Sequence, residues 1–411
     1  MARNIVIVGG GAAGTLVALH LAREARRATA VTVIEPRDQL GEGVAFGTID
    51  TTHLLNVPAG GMSAFDDEPN HFVAWAGCAP ADFVPRTRYA EYLRTELHRR
   101  IEANPSVSIR HIRDTAAHVD AAKRRVTTSS GEPFAGDSTV IALGNAAPTM
   151  PSWTESFTTI PVITDPWQHD VLDTVTAGSR VLCVGTGLTF VDVALSLVRR
   201  GAKVTGVSRH GLLPEVHAPH GALPELPSAL SSPVAVSRWI REQSDWRAAL
   251  AALRPETQRL WRTFTTAQQA QFLRHARRYW DVHRHRMSAE VSEALLRERA
   301  SGNIAVCRGD ARTYAESKSF DIVVLCTGPD DAALLHTAPL ASLVADGTIC
   351  PGPHGMGIAT DADTGQVHDS TGRLVDGLYA IGPLRRGTLW ETTAIPEIRI
   401  EARRLATLLL A

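Results

Sequence analysis

The first 35 residues carry the pattern that most constrains the fold. An apolar run over residues 5–8 precedes the glycine-rich residues 9–14, a helical pattern, and a second apolar run over 31–34 that leads to Glu35. Strand, glycine turn, helix, strand and acid in this order are typical of a Rossmann-type unit. The turn and the helix N-terminus offer N–H groups and partial positive charge to a pyrophosphate. The sequence therefore predicts a bound adenine dinucleotide.

Each glycine of this turn has its own predicted role. Gly9 permits the tight turn, Gly11 lets the backbone approach the pyrophosphate, and Gly14 lets the helix pack closely on the strand. Glu35 follows the second strand, where a carboxylate accepts hydrogen bonds from a ribose hydroxyl pair. The predicted contacts are Gly9, Gly11, Ala12, Ala13, Gly14 and Glu35. The alternative is a glycine-rich turn in an α/β domain that binds nothing.

A second unit of this kind begins near residue 178. Gly185 and Gly187 retain the phosphate-facing glycines, but Phe190 stands where the third glycine belongs, and we expect its bulk to push the helix away from the strand. Arg209 follows the next strand in place of an acid, which suits the 2′-phosphate of NADPH. We therefore predict NADPH binding through Gly185, Gly187 and Arg209. The alternative is a vestigial unit with an ordinary surface arginine.

Composition excludes several classes of protein. The chain has 411 residues, enough for two or three domains, and its 44% apolar and 21% charged residues are ordinary for a soluble protein. A net charge of −1 provides no field to recruit nucleic acid or an anionic membrane. We expect neither partner, nor a membrane span, because no apolar run approaches about 18 residues. An early strand without a signal-peptide pattern predicts a cytoplasmic protein.

Cysteine and histidine spacing narrows the chemistry further. None of the five cysteines forms a CxxC pair, which argues against a dithiol redox centre. Cys183 and Cys326 lie in apolar strands and are predicted to be small core residues. The sixteen histidines show no familiar ligand spacing, so no metal site is expected. The sequence carries no signal for an oligomeric state.

Two similar segments predict how the chain passes between domains. Residues 138–145 and 320–329 are apolar strands that lead into glycine turns, the first at Gly144. In flavoproteins with two Rossmann units, such strands carry the chain between cofactor domains. We therefore predict an α/β fold with two Rossmann-type domains. An FAD domain over 1–150 and 328–411, with Gly144 as a cofactor contact, is split by an inserted NAD(P) domain over 151–327.

Residues 228–300 form a predicted helical insertion in the second domain, since they are rich in helix-forming residues and lack glycine. Within it, residues 274–286 contain five arginines and three histidines in thirteen positions. Such a run suits a phosphate or an acidic substrate. The interpretation that we favour is a solvated helix face with Tyr279 and Trp280 in the core.

The C-terminal region supplies a third cofactor element. An apolar strand ends at Gly382, and residues 392–397 open a helix that runs to the C-terminus. Its N–H groups and dipole can stabilise the negative charge of a reduced flavin. The predicted flavin contacts are Gly382, Thr393, Ala394 and Ile395. The alternative is a helix that only closes the domain.

Several motifs together resemble the bacterial FAD/NAD(P)-binding oxidoreductases, which have two Rossmann domains and are related to flavin N-hydroxylases and other single-component flavin monooxygenases. The motifs that carry this resemblance are residues 41–47, 53–59, 185–192, 208–214, 280–286 and 390–399. The resemblance implies FAD in the first domain and NAD(P)H in the second. This sequence departs from the common flavoprotein pattern at Gly382-Pro383. Many flavoproteins have Gly-Asp at this position, where the aspartate holds the ribityl chain of the flavin.

The resemblance implies an NADPH-dependent flavin monooxygenase that acts on a small molecule through a C4a-hydroperoxide. It places residues 53–59 beside the flavin, so Asn56 as a polar contact and His53 as a proton donor are the candidate catalytic residues. Each is alternatively a loop-structuring residue. Two other functions compete: an FAD-dependent oxidase or dehydrogenase with a vestigial second unit, and a non-catalytic flavin-binding module.

Overall fold

The computed structural model describes residues 2–156, 160–317 and 319–411. The chain divides into two compact units, a first unit of Met1–Ala146 and Asp331–Ala411 and a second unit of Ala147–Asp330. Each contains a mainly parallel sheet, so the predicted α/β fold with two Rossmann-type units is confirmed.

Strands and helices alternate along much of the chain. The strands are β1 (Arg3–Val8), β2 (Thr29–Ile34), β3 (Val107–Ile112), β4 (Ala116–Asp120), β5 (Arg125–Thr128), β6 (Pro133–Ala135), β7 (Ser138–Ile141), β8 (Val162–Ile163), β9 (Arg180–Val184), β10 (Lys203–Ser208), β11 (Ile304–Arg308), β12 (Ile322–Leu325), β13 (Gln366–His368) and β14 (Leu374–Ala380). The helices are α1 (Ala12–Glu24), α2 (Gly43–Phe46), α3 (His71–Ala76), α4 (Arg86–Ala103), α5 (Leu188–Arg199), α6 (Pro233–Glu242), α7 (Trp246–Leu253), α8 (Thr257–Thr263), α9 (Thr266–His275), α10 (Arg277–Arg284), α11 (Ala289–Ala300), α12 (Ala311–Ser317), α13 (Leu340–Ala345) and α14 (Ile395–Leu410). Short 3₁₀ turns lie at Ala59–Gly61, Ser152–Ser156, Val171–Thr174, Arg254–Glu256, Ala333–His336, Pro353–Gly355 and Gly382–Arg385.

The main sheet of the first unit has the strand order β13-β14-β7-β1-β2-β3. All neighbouring strands are parallel except the edge pair β13–β14. Val8 at the end of β1 pairs with Ile34 of β2 and with Ile141 of β7. The carboxyl ends of three central strands therefore meet at one edge, where ligands bind in open α/β sheets.

Strand β1 is apolar on both faces because both faces are covered. Ile5 and Ile7 belong to a core shared with helices α1, α4 and α14. Val6 and Val8 belong to a second core, shared with α13 and the small antiparallel sheet β4-β5-β6. The continuous apolar run in the sequence thus reports burial on two sides of the sheet.

The sheet of the second unit is parallel throughout, in the order β11-β10-β9-β12-β8. Its cores include Cys183 and Cys326, and both thiols are buried as predicted. Phe190 is fully buried, and its ring lies over Gly206 of β10, where an added Cβ atom would be 2.5 Å from Cζ. The missing side chain at position 206 therefore provides the space that Phe190 occupies.

The helical insertion begins at Pro233, a few residues later than the predicted boundary at 228. Four helices start at side chains that accept hydrogen bonds from backbone N–H groups of the first turn, which explains the boundaries. These N-cap residues are Ser232, Asp245, Thr265 and Ser288. Helices α6–α8 share a separate small core, against which Trp280 packs, whereas Tyr279 is half exposed. The expectation that Tyr279 lies in the core is therefore wrong.

Within the described residues, no helix is both long enough and apolar enough to cross a bilayer. Over the same ranges, no group of three or more His, Cys, Asp or Glu side chains is arranged to hold a metal ion.

Candidate cofactor sites

The first glycine turn connects β1 to α1 and needs glycine at two positions. Gly9 has φ +102°, and a Cβ atom there would lie well under 3.0 Å from the carbonyl oxygen of Ala142. A Cβ atom at Gly14 would lie equally close to the carbonyl oxygen of Gly9. The first glycine therefore sets the turn, and Gly14 lets the helix pack directly against it.

The N-terminus of α1 presents unused hydrogen-bond donors. Among the described residues, the N–H groups of residues 11–14 have no acceptor, since the first bond of this helix runs from Thr15 N–H to Gly11 C=O. No side chain caps the helix. The backbone of Gly11, Ala12, Ala13 and Gly14 thus has the geometry that binds a pyrophosphate.

Glu35 is held at the edge of this turn. Its carboxylate is buried, and Oε2 accepts a hydrogen bond from Gly10 N–H at 2.9 Å. The other oxygen, Oε1, accepts from the backbone N–H and from Nη1 of Arg37 at 3.1 and 3.2 Å. Since a carboxylate has about four acceptor positions, the anchored group retains capacity for a ribose hydroxyl.

The C-terminal region joins the first turn in space. A Cβ atom at Gly382 would lie 3.4 Å from the Cβ of Ala13, and Thr392 Oγ1 lies 3.1 Å from the Gly382 carbonyl oxygen. Gly144 follows β7, the neighbour of β1, at the same sheet edge. Three predicted cofactor elements, distant in sequence, are therefore brought to one edge of the sheet.

Helix α14 starts at this edge with free donors of its own. Its N-cap, Ala394, makes no side-chain cap bond, and Pro396 occupies the first turn. In the described part of the chain, the N–H groups of Thr393, Ala394 and Ile395 have no acceptor. A sixteen-residue helix with an uncapped N-terminus favours a negatively charged neighbour there.

His53 and Asn56 lie on the loop between α2 and α3. The buried His53 ring has Nδ1 at 2.7 Å from Thr48 Oγ1 and Nε2 at 3.6 Å from Asp50 Oδ2. These contacts bind the imidazole within its own loop, whereas Asn56 is only half-buried. Their proposed flavin contacts therefore stay predictions.

This loop is also adjacent to the start of α14. A Cβ atom at Gly61 would lie 2.7 Å from Val57 Cγ1 and 3.9 Å from Pro396 Cγ. The segment that contains Asn56 is therefore close to the helix predicted to contact the flavin.

A buried ion pair that the sequence analysis did not identify supports the same edge. Arg385 Nη1 donates to Glu401 Oε2 at 2.9 Å, and Nη2 donates to the carbonyl oxygens of residues 361 and 362. Glu401 Oε1 accepts a hydrogen bond from the Thr392 hydroxyl at 2.6 Å. Burial raises the pKa of Glu401, and the nearby Arg385 opposes that shift. The pair anchors the loop that precedes α14 to the helix itself.

The glycine turn of the second unit repeats the geometry of the first. Gly185 has φ +103°, and a Cβ atom there would lie well under 3.0 Å from the carbonyl oxygen of Cys326. Helix α5 begins after Gly187 (φ −80°, ψ −165°) much as α1 begins after Gly11 (φ −65°, ψ −170°). Within the described chain, N–H groups 187–190 have no acceptor. This turn also has the donors to bind a pyrophosphate.

The two units differ at the position of the acid. In the first unit, Val8 before the glycine turn pairs with Ile34, and Glu35 follows Ile34. In the second unit, Val184 before the glycine turn pairs with Val207, and Ser208 follows Val207. Ser208 therefore takes the place of Glu35, and Arg209 comes one residue later. The Ser208 hydroxyl lies 2.8 Å from Thr186 Oγ1 instead of binding a backbone N–H of the turn.

Arg209 is exposed and lies among other cations. It forms no hydrogen bond or ion pair with any described residue. Partial burial lowers the pKa of the adjacent His210, and Arg278, Arg308 and Arg209 lower it further. Arg308 ends β11 and pairs with Ser208, so these positive charges meet at the carboxyl ends of β10 and β11. The arrangement suits a phosphate on a ribose.

Comparisons with known proteins agree with this geometry. A family model described as FAD-NAD(P)-binding matches residues 6–146. A flavin-containing monooxygenase from Stenotrophomonas maltophilia matches with 18% identity over 99% of this chain and 98% of that one, at a TM-score of 0.61. The reduced form of an ornithine hydroxylase from Pseudomonas aeruginosa matches with 13% identity over 100% and 99%, at 0.58.

A thioredoxin reductase from Lactococcus lactis also matches, with 15% identity over 99% of this chain and 97% of that one, at a TM-score of 0.51. No curated protein sequence matches the chain. At these identities the solved structures establish the fold. Residues 6–146 therefore match the FAD-NAD(P)-binding family model, and the chain shares its two-unit fold with these solved structures.

Proposed function

We propose that this chain is an NADPH-dependent FAD monooxygenase that acts on a small molecule. The observation that carries the proposal is the contrast between two glycine turns of nearly the same geometry. The first is followed by an anchored carboxylate, Glu35, and the second by Ser208 and Arg209, a cation that pairs with no described residue. A carboxylate suits the ribose hydroxyls of FAD, and an arginine suits the 2′-phosphate of NADPH.

The residues of the first unit have distinct roles in this proposal. N–H groups 11–14 hold the FAD pyrophosphate, and Glu35 binds the ribose. The N–H groups of residues 393–395 and the dipole of α14 stabilise negative charge on the flavin ring. FAD supplies two-electron redox chemistry and, after reduction, reactivity with oxygen. Asn56 and His53 are proposed as a polar contact and a proton donor beside the ring.

Two observations favour this function over its alternatives. A dithiol mechanism like that of disulfide reductases requires paired cysteines, and the five cysteines here include no CxxC motif and are all free thiols. An oxidase with a vestigial second unit does not need the open donors at residues 187–190. A non-catalytic module needs neither those donors nor Arg209.

Anaerobic mixing with NADPH tests the proposal directly. The purified protein is expected to be yellow, and its flavin absorbance is expected to bleach in a single stopped-flow experiment under nitrogen. Reoxidation in air should then consume oxygen. If an organic substrate bleaches the flavin absorbance and NADPH does not, the protein is an oxidase or dehydrogenase. A protein that contains no flavin contradicts every flavin-based function.

Arg209→Ser is expected to remove the preference for NADPH. A hydrogen bond to a charged group contributes about 1.5–3 kcal/mol, so NADPH should bind roughly 10- to 100-fold more weakly while NADH is unaffected. Apparent Kd values for both nucleotides come from the concentration dependence of flavin bleaching. Arg241→Ser, which removes an exposed charge from α6 of the same unit, is the control. An equal loss of affinity for NADPH and NADH would contradict the assignment of Arg209 to the 2′-phosphate.

A further inference from the structure

Arg286, in the basic run of the helical insertion, is not a solvated surface residue. Its Nε and Nη1 atoms are buried and have no hydrogen-bond acceptor among the described residues. No described carboxylate lies within 4.0 Å of its guanidinium. Buried donors of a charged group are costly to leave unsatisfied, so this side chain is set up for a partner outside the described chain.

Arg286 and a second arginine, Arg247, both lie close to the ring of Trp246. The Cζ atom of Arg247 lies 4.1 Å from the centroid of the Trp246 ring, and that of Arg286 lies 5.8 Å from it. His283 meets the indole edge-on at 4.7 Å. Two guanidinium groups therefore lie within 6 Å of the centre of one indole ring, at cation–π distance.

The backbone around the two arginines is fixed. Met287 N–H donates to Glu215 C=O at 3.0 Å, and His217 N–H donates to Met287 C=O at 2.9 Å. Arg247 Nη2 donates to the carbonyl oxygen of Val216, between these two bonds, at 3.1 Å. Arg247 and the residue next to Arg286 are therefore both attached to the segment 215–217, which makes the site preorganised.

Positive charge dominates the surroundings of Arg286. Burial is the main cause that lowers its pKa to about 10, and repulsion from Arg247, Arg284 and Arg254 lowers the pKa further. Asp245 is the acid that opposes the shift. The charged groups that act on Arg286 are thus three arginines and one acid.

Of the two nearby carboxylates, Asp245 is engaged elsewhere and Glu215 makes only a long contact with Arg247. Asp245 caps α7, where Oδ1 accepts from the N–H groups of Arg247 and Ala248 and Oδ2 accepts from that of Gly221. Glu215 approaches Arg247 Nη2 only to 4.0 Å and is exposed. Neither acid neutralises Arg286.

We propose that Arg286 and Arg247 form a binding site for the oxyanion of a small molecule, a carboxylate or a phosphate group. An oxyanion satisfies the buried N–H donors and offsets the repulsion among the arginines, and guanidinium groups match both oxyanions geometrically. The site lies within the second unit and is built from residues other than those of the glycine turn at 185–187. It goes beyond the proposed redox function and does not depend on it.

Thermal unfolding of the purified holoprotein tests the site without a redox readout. Inorganic phosphate and acetate are titrated separately against chloride at matched ionic strength. Bound anion stabilises the folded state by mass action, and we expect a rise in Tm of about 2–4 °C or more with at least one of them. The anion that raises Tm identifies the site as one for phosphate or one for carboxylate. No response to either overturns the proposal.

Variants separate a binding role from a structural one. Arg286→Gln is expected to abolish the anion response and, in chloride, to unfold at or above the wild-type temperature because it removes an uncompensated charge. Arg286→Lys should respond more weakly than the wild type, and Arg241→Gln should respond fully. An Arg286→Gln protein that is destabilised yet keeps the full response contradicts the proposal.

Tryptophan emission provides a second readout. Anion binding should change the emission of the wild type but not of Trp246→Phe, because Trp246 contacts both arginines. The phosphate response should persist in saturating NADP⁺ and in Arg209→Ser. Its loss in NADP⁺ would assign the arginines to the nucleotide site and overturn a separate site. None of these results requires NADPH to reduce the flavin, so failure here leaves the redox proposal standing.

Discussion

Gly14→Ala is expected to yield a protein that has lost most of its flavin. A Cβ atom at this position would lie well under 3.0 Å from the Gly9 carbonyl oxygen, a separation that packed atoms do not tolerate. The start of α1 must then move away from β1, which displaces the N–H groups that we propose bind the pyrophosphate. Overpacking of this kind also costs about 1–3 kcal/mol of folding free energy.

The ratio of flavin absorbance to protein absorbance measures this loss, and circular dichroism checks that the variant is folded. Gly187→Ala is the matched control, because it lies in the second turn, has a negative φ, and its added Cβ would have no neighbour within 4 Å. It should retain wild-type flavin content. A folded Gly14→Ala protein with full flavin content would show that the dinucleotide is not held by this turn.

Arg385→Met is expected to destabilise the first unit by about 3–5 kcal/mol, because it leaves the Glu401 carboxylate buried without its partner. Glu401→Met alone should be similarly costly. The double variant should recover much of the loss, since two apolar side chains of similar size replace a buried pair with little penalty. The shift in the urea unfolding midpoint, followed by flavin release, provides the measurement.

Arg113→Met is the control for this experiment. Arg113 pairs with Asp38 at 2.6 Å, but both side chains are largely exposed, and such pairs contribute at most about 1 kcal/mol. If Arg385→Met behaves like Arg113→Met, the buried pair does not hold the loop before α14. A large loss of stability that the double variant fails to reverse would instead implicate the bonds from Arg385 to carbonyl oxygens 361 and 362.

Local patterns were the part of this molecule that could be predicted from sequence. The turns at Gly9 and Gly185 need particular backbone conformations and close approaches, so their residue types are constrained within a few positions. The same holds for the helix that starts at Ile395. The fold class follows because these local units have few ways to assemble around a parallel sheet.

Features that depend on distant contacts could not be predicted in this way. The space for Phe190 comes from Gly206, a residue of another strand. The register of β9 and β10 could have identified Ser208 as the counterpart of Glu35. In each unit, the last strand residue before the glycine turn pairs with a residue of the next strand, and Glu35 or Ser208 directly follows that paired residue. The Arg385–Glu401 pair had no such signal, because nothing in either segment marks the other as its partner.

The last residues of the two units are synthesised at different times. The second unit is one continuous stretch of the chain, whereas the first unit is assembled from two stretches. The edge of the first unit that we propose binds the dinucleotide includes residues 9–14 and residues 382–395, so it is incomplete until those later residues have been translated. We therefore expect cofactor binding to follow the synthesis of residues 382–395.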